Sequence, residues 1–81
     1  MLKLLDVVAL VKDIPELGLN RDQEGTILEV YQNGVAFEID FVDDQGKTIA
    51  LETIQAEYLK LIESYTNAED SEQKTKSYSL V

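Results

Sequence analysis

Gln32-Asn33-Gly34-Val35-Ala36-Phe37-Glu38-Ile39-Asp40-Phe41 decides the fold class of this chain. Side chains of an extended chain point alternately to opposite faces. Val35, Phe37, Ile39 and Phe41 therefore share one face, and Ala36, Glu38 and Asp40 share the other. This period of two predicts a strand over residues 35–41 with one buried and one wet side. Asn33-Gly34 stands just before it, and both residue types tolerate positive φ. An Asn-Gly pair between two β-rich runs is the strongest short hairpin signal.

Upstream, Gly25 opens a second extended run over residues 26–31, which ends at Tyr31. Downstream, Val42-Asp43-Asp44-Gln45-Gly46 predicts another turn, with Gly46 suited to a left-handed position. A strand over 47–51 follows, with Ile49 and Leu51 expected inward. Two consecutive hairpins make a three-stranded meander. Ahead of it, Val7, Val8 and Val11 lie in an apolar run interrupted only by Asp6, and β-branching favours an extended chain there, over 7–11.

Two stretches are less regular. Residues 12–24 hold the single proline, Pro15, with Gly18, Asn20 and Asp22, and read as a long loop. Its run Asp13-Ile14-Pro15-Glu16-Leu17-Gly18-Leu19 carries three large apolar residues. Some must fold over the core, and any left outside form a contact patch. In residues 53–62, Ile54, Tyr58, Leu61 and Ile62 fall at helical spacing, and Thr53 suits a helix cap. The same residues also fit a 3₁₀ turn at 55–57 and a strand over 58–62, with Leu59 and Leu61 inward. Taken alone the stretch favours helix. The meander before it favours the strand, because a small sheet needs its edges paired or covered. The expected fold is then all-β, a small five-stranded barrel over residues 1–63. Residues 64–81 read as a polar tail ending in the apolar Tyr78-Ser79-Leu80-Val81.

Composition narrows the chemistry. Eighty-one residues make one domain, without cysteine or histidine. Disulfides, thiolate metal sites and the commonest general base are thereby excluded. The glycines occur singly at turns, so no phosphate-binding loop is present. Two carboxylate pairs, Glu38 with Asp40 and Asp43 with Asp44, have the chemistry for glycoside hydrolysis or a divalent cation. A solvated strand face and an ordinary turn account for them better. The expectation is a protein that is not an enzyme and carries no cofactor or metal.

The net charge is −9, from 16 acidic and 7 basic residues. Lys3, Lys12, Arg21, Lys47 and Lys60 are isolated, with none of the clustering that nucleic-acid binding needs. No run approaches the ~20 apolar residues of a membrane span, and no signal peptide is recognisable, so a cytoplasmic location is expected. The expected partner is a protein, basic in character. Its contacts are expected at Asp13, Glu16, Leu17 and Leu19 of the long loop, at Asp43 and Asp44 of the second turn, and at Tyr58. Acidic side chains would steer association, and apolar ones would supply contact energy. Self-association through the tail or a strand edge is the other partner expectation.

Several stretches together resemble a known family. Leu4-Leu5-Asp6-Val7-Val8-Ala9-Leu10, Asp13-Ile14-Pro15-Glu16, Gly18-Leu19, Gly25-Thr26-Ile27 and Glu38-Ile39-Asp40-Phe41, with Asp43 and Gly46, occur in order. They look like the small bacterial proteins, abundant in cyanobacteria, of domain-of-unknown-function family 4926. The resemblance covers roughly residues 2–62. It implies an SH3-like barrel and a strand at 58–62, and it supplies no catalytic residue. Proteins of this kind are similar to accessory partners in toxin–antitoxin-like pairs. The fold is also similar to that of a ferredoxin-docking subunit of a photosynthetic complex. The acidity of this chain argues against a ferredoxin site, because ferredoxins are themselves acidic.

Overall fold

In a computed structural model, residues 1–65 are described. The strands are β1 (Val7–Leu10), β2 (Glu24–Tyr31), β3 (Ala36–Val42), β4 (Thr48–Gln55) and β5 (Leu59–Glu63). They form one antiparallel sheet in the order β4-β3-β2-β1-β5. This all-β, five-stranded arrangement has the long first loop and the 3₁₀ turn before the last strand of an SH3-like barrel. The sheet is not closed: β4 and β5 are its two edges, joined in sequence by the 3₁₀ turn Ala56–Tyr58. No helix among the described residues is long and apolar enough to cross a membrane. The expected tail, apart from Ser64 and Tyr65, lies outside the described residues.

A single core holds residues from every strand: Val8 and Leu10, Ile27, Phe37 with Ile39 and Phe41, Ile54, and Leu59. One sheet can bury all of these together only by curling around them. Ile14 and Leu19 of the long loop complete the cluster. Gly25 sits where β2 leaves no room for a side chain against β3. A Cβ there would lie 2.5 Å from Ile39 Cγ2 and 2.9 Å from the Asp40 carbonyl oxygen.

The first turn goes beyond the Asn-Gly signal. Gln32, Asn33 and Gly34 all have positive φ (51°, 60° and 100°), and Gly34 N–H donates to Tyr31 O at 3.0 Å. Val35 is thereby drawn into the turn. It is exposed and not the first inward residue of β3, as its place in the alternation predicts.

The fourth strand is the larger correction. Ile49 and Leu51 are expected inward but are 49% and 54% exposed, whereas Ile54 is 3% exposed. In the β3–β4 ladder Phe41 faces Ala50, Ile39 faces Glu52 and Phe37 faces Ile54, so the inward series is 50, 52, 54. The small Ala50 fits opposite the bulky Phe41, where Ile49 or Leu51 would overfill the core. Glu52 is an inward charge on an edge strand, a feature that discourages edge-to-edge pairing.

Residues 53–62 are strand, 3₁₀ turn and strand, not helix. The turn falls at Ala56–Tyr58, one residue later than expected. Leu59 is core, but Leu61, also expected inward, is 49% exposed. It pairs with Val8 beside a register shift on the edge strand, where no further strand among the described residues covers it.

Candidate functional site

The long loop is shaped by its own sequence. Ile14 and Leu19 bridge across it, with Ile14 N–H donating to Leu19 O at 2.8 Å. Pro15, whose fixed φ suits a helical start, opens the 3₁₀ turn Pro15–Leu17. Gly18 closes it in the left-handed region at φ 72°. Leu17 is left at the tip, partly exposed, between two anchored leucine and isoleucine side chains.

This tip faces the end of β4 and the second 3₁₀ turn. Ile14, Glu16, Leu17, Thr53, Ile54, Gln55 and Tyr58 line a shallow groove of ≈ 300 Å³. A smaller depression of ≈ 200 Å³ adjoins it, between Lys12, Asp13, Pro15, Glu16 and Tyr58. Lys12 Nζ stands 5.0 Å from the centroid of the Tyr58 ring, within range of a cation–π contact. The groove thus combines an aromatic ring already engaged by one cation, an apolar floor and carboxylates at the rim.

The seven residues expected to bind a partner fall into separate places. Asp13, Glu16, Leu17 and Tyr58 come together around the groove. Leu19 does not join them: it is 2% exposed and belongs to the core, because the Ile14–Leu19 bridge turns it inward. Asp43 and Asp44 lie at the β3–β4 turn, around a polar hollow with Asp22, Gln23, Glu24 and Val42.

Two of these carboxylates shape the backbone. Asp13 Oδ1 accepts the Arg21 N–H at 2.8 Å and pins the base of the loop. Asp43 Oδ1 accepts the N–H groups of Gln45 (2.9 Å) and Lys47 (3.0 Å) and closes its own turn. Nearby, Lys60 Nζ meets Asp22 Oδ1 at 2.9 Å. That hydrogen bond, then the Lys60 charge, holds the Asp22 carboxyl below its ordinary value. No cluster of three or more metal-ligating side chains occurs among the described residues.

Residues 4–61 match the model of the family described as Domain of unknown function (DUF4926). The chain belongs to this family. No curated protein and no solved structure matches it. The DUF4926 match spans β1 to most of β5, so the groove, the long loop and the β3–β4 turn all lie inside the family domain.

Three features of the DUF4926 domain escape a reading of the sequence. Asp6, a mere interruption of an apolar run, is fully buried and accepts Lys3 N–H at 3.0 Å and Lys3 Nζ at 3.3 Å. Leu5 has φ 69° in a bulge where Leu5 N–H donates to Ile27 O and Ile27 N–H donates to Asp6 O, a position glycine ordinarily fills. Glu29 stands directly opposite Glu38 on the outward side of β2 and β3. Tyr31 OH reaches Glu38 Oε1 at 3.5 Å. Desolvation, then the negative charges of Glu38 and Glu29, push the Tyr31 hydroxyl above its ordinary value. Only the β2–β3 register, which a bulge at Leu28 shifts, brings these acids together.

Proposed function

We propose that this domain is a non-catalytic protein-binding module whose partner is a basic protein engaged at the groove between the long loop and the β4–β5 link. The observation that carries this reading is the groove itself: exposed Leu17 and half-buried Tyr58 line it together with Ile14 and Ile54, with Glu16 at the rim. An aromatic-lined groove of this kind suits an extended peptide segment. Leu17 and Tyr58 supply anchor contacts, while Glu16 and the overall −9 charge steer a cationic partner. Neutralisation of a small basic protein, in the manner of an antitoxin, is one form this role takes. The test is affinity enrichment with the full chain, followed by titration of the enriched partner against variants. Leu17→Ala with Tyr58→Ala is expected to weaken binding by tenfold or more, about 1.4 kcal/mol. A partner held equally by that double variant removes the groove from the account.

The open edges support a second reading, an accessory subunit of a larger assembly. Among the described residues β5 has an unpaired side without the inward charge that guards β4, and strand addition there extends a sheet between chains. Sedimentation at rising concentration distinguishes self-assembly of this kind from a monomeric module.

A further inference from the structure

The outward face of β2, β3 and β4 carries acidic and apolar side chains with no base among them. Its positions are Thr26, Leu28, Glu29 and Tyr31, then Ala36, Glu38 and Asp40, then Ile49, Leu51, Thr53 and Gln55. Glu29 and Glu38 are cross-strand partners, an arrangement that destabilises a sheet unless an opposite charge relieves it. Among the described residues only hydroxyls serve these acids. Thr53 Oγ1 donates to Glu38 Oε1 at 2.9 Å, and Thr48 Oγ1 donates to Asp40 Oδ1 at 2.7 Å. The ion pairs among the described residues, Lys3–Asp6 and Lys60–Asp22, lie elsewhere. Leu28, Ile49 and Leu51 are exposed on the same face. The surface is thus complementary to a segment that offers cations and large apolar groups together.

The chain itself contains one such segment, Lys74-Thr75-Lys76-Ser77-Tyr78-Ser79-Leu80-Val81. In an extended chain Lys74, Lys76, Tyr78 and Leu80 share one side, with small hydroxyls along most of the other. We propose that residues 74–81 fold back within the same molecule onto the outward face of β2–β3–β4, placing Lys74 and Lys76 against Glu29 and Glu38 and the apolar pair against Leu28 and Leu51.

The point of departure favours this occupant. Tyr65 N–H is held by Asp6 Oδ1 at 3.2 Å, and Ile27 N–H donates to Asp6 O at 3.0 Å. The chain therefore leaves beside the β2 bulge that carries Leu28. From there Ile27 pairs with Ile39 and Ile39 with Glu52, so β4 lies two strand spacings, about 10 Å, away. Residues 66–73 reach about 25 Å when extended, enough to cross. Tethering over so short a distance gives an effective concentration of order mM, which outcompetes a second copy in dilute solution. A second copy also brings another −9 charge to an already acidic face.

Backbone amide NMR of the full chain tests the proposal. The wild type is compared with Lys74→Glu/Lys76→Glu and, separately, with Tyr78→Ala/Leu80→Ala. Both variants are expected to shift the amides of residues 28–31, 38–40 and 51–53, leaving those of Val8 and Leu10 in place. High salt is expected to reproduce the first shift, and dilution to leave all spectra unchanged. Adding Glu29→Lys/Glu38→Lys to Lys74→Glu/Lys76→Glu is expected to restore a salt-sensitive contact. Differences confined to residues beyond 65 overturn the proposal, and so do shifts that grow with concentration, which assign the face to a second copy. Either failure leaves the loop groove untouched, because none of these substitutions lies in it.

Discussion

Asp6 Oδ1 accepts the backbone N–H of Tyr65 at 3.2 Å, across 59 positions of sequence. The same buried carboxylate holds Lys3 N–H through Oδ2 at 3.0 Å, and Lys3 Nζ reaches on to Ser64 Oγ at 2.8 Å. One side chain thus joins the turn that precedes β1 to the residues that follow β5. Those are the two strands at one side of the sheet, so the contact resists fraying of an edge that no further strand among the described residues protects.

Asp6→Ala is expected to destabilise the domain by about 1–3 kcal/mol, because it takes the acceptor from two part-buried backbone N–H groups. Lys3→Ala is expected to cost less than about 1 kcal/mol, since its ammonium end is half exposed and the backbone donors keep their carboxylate. Urea unfolding of the two variants checks the ranking. Equal losses would mean that the ion pair, and not the backbone clamp, is what matters.

The register of β4 has a direct energetic signature. Ile54→Ala is expected to cost about 2–5 kcal/mol, the range for emptying a packed aliphatic site. Leu51→Ala and Ile49→Ala are expected to stay near or below about 1 kcal/mol, because both side chains are about half in solvent. Thermal or chemical denaturation of the three variants reads this out, and the reverse order would restore the inward face 49, 51.

Gly25→Ala is expected to cost about 1–3 kcal/mol by overpacking. Its new methyl meets Ile39 Cγ2 and the Asp40 backbone, and backbone oxygens of a central ladder have little freedom to move away. Pairing it with Ile39→Leu, which removes Cγ2 at similar side-chain volume, tests the cause. That change is expected to recover part of the loss, and none would be recovered if the lost glycine flexibility were responsible.

The Asp22–Lys60 pair predicts an acid-side effect. Asp22 has its folded pKa lowered relative to the unfolded chain. The pair's stabilisation is therefore complete at pH above the ordinary aspartate value and is lost as pH falls through the lowered folded value. Lys60→Met is expected to raise the Asp22 midpoint toward its ordinary value in a carboxyl NMR titration. An unmoved midpoint would show that the exposed pair does not persist in solution.

Much of the candidate groove was legible. Asp13, Glu16, Leu17 and Tyr58 were identifiable as a loop of apolar and acidic residues and an aromatic ahead of the last strand, and folding gathers them at one place. Leu19 was not separable from Leu17, because the alternation that marks a strand face is absent in a loop. Only the Ile14–Leu19 bridge distinguishes the anchored leucine from the displayed one.

By itself the sequence determined that this chain is a small, acidic, histidine-free and cysteine-free β domain, with hairpins at Gly34 and Gly46 and a core centred on Phe37, Ile39 and Phe41. Those features follow from local chemistry: backbone freedom at turns, and a period of two where the strand is long. The tertiary structure decided which face of β4 is inward, why Asp6 is buried, and that Glu29 confronts Glu38. Each of these depends on register across strands. A bulge such as the one at Leu28 shifts the parity of everything beyond it, and no local pattern within one strand records the side chain that will stand opposite.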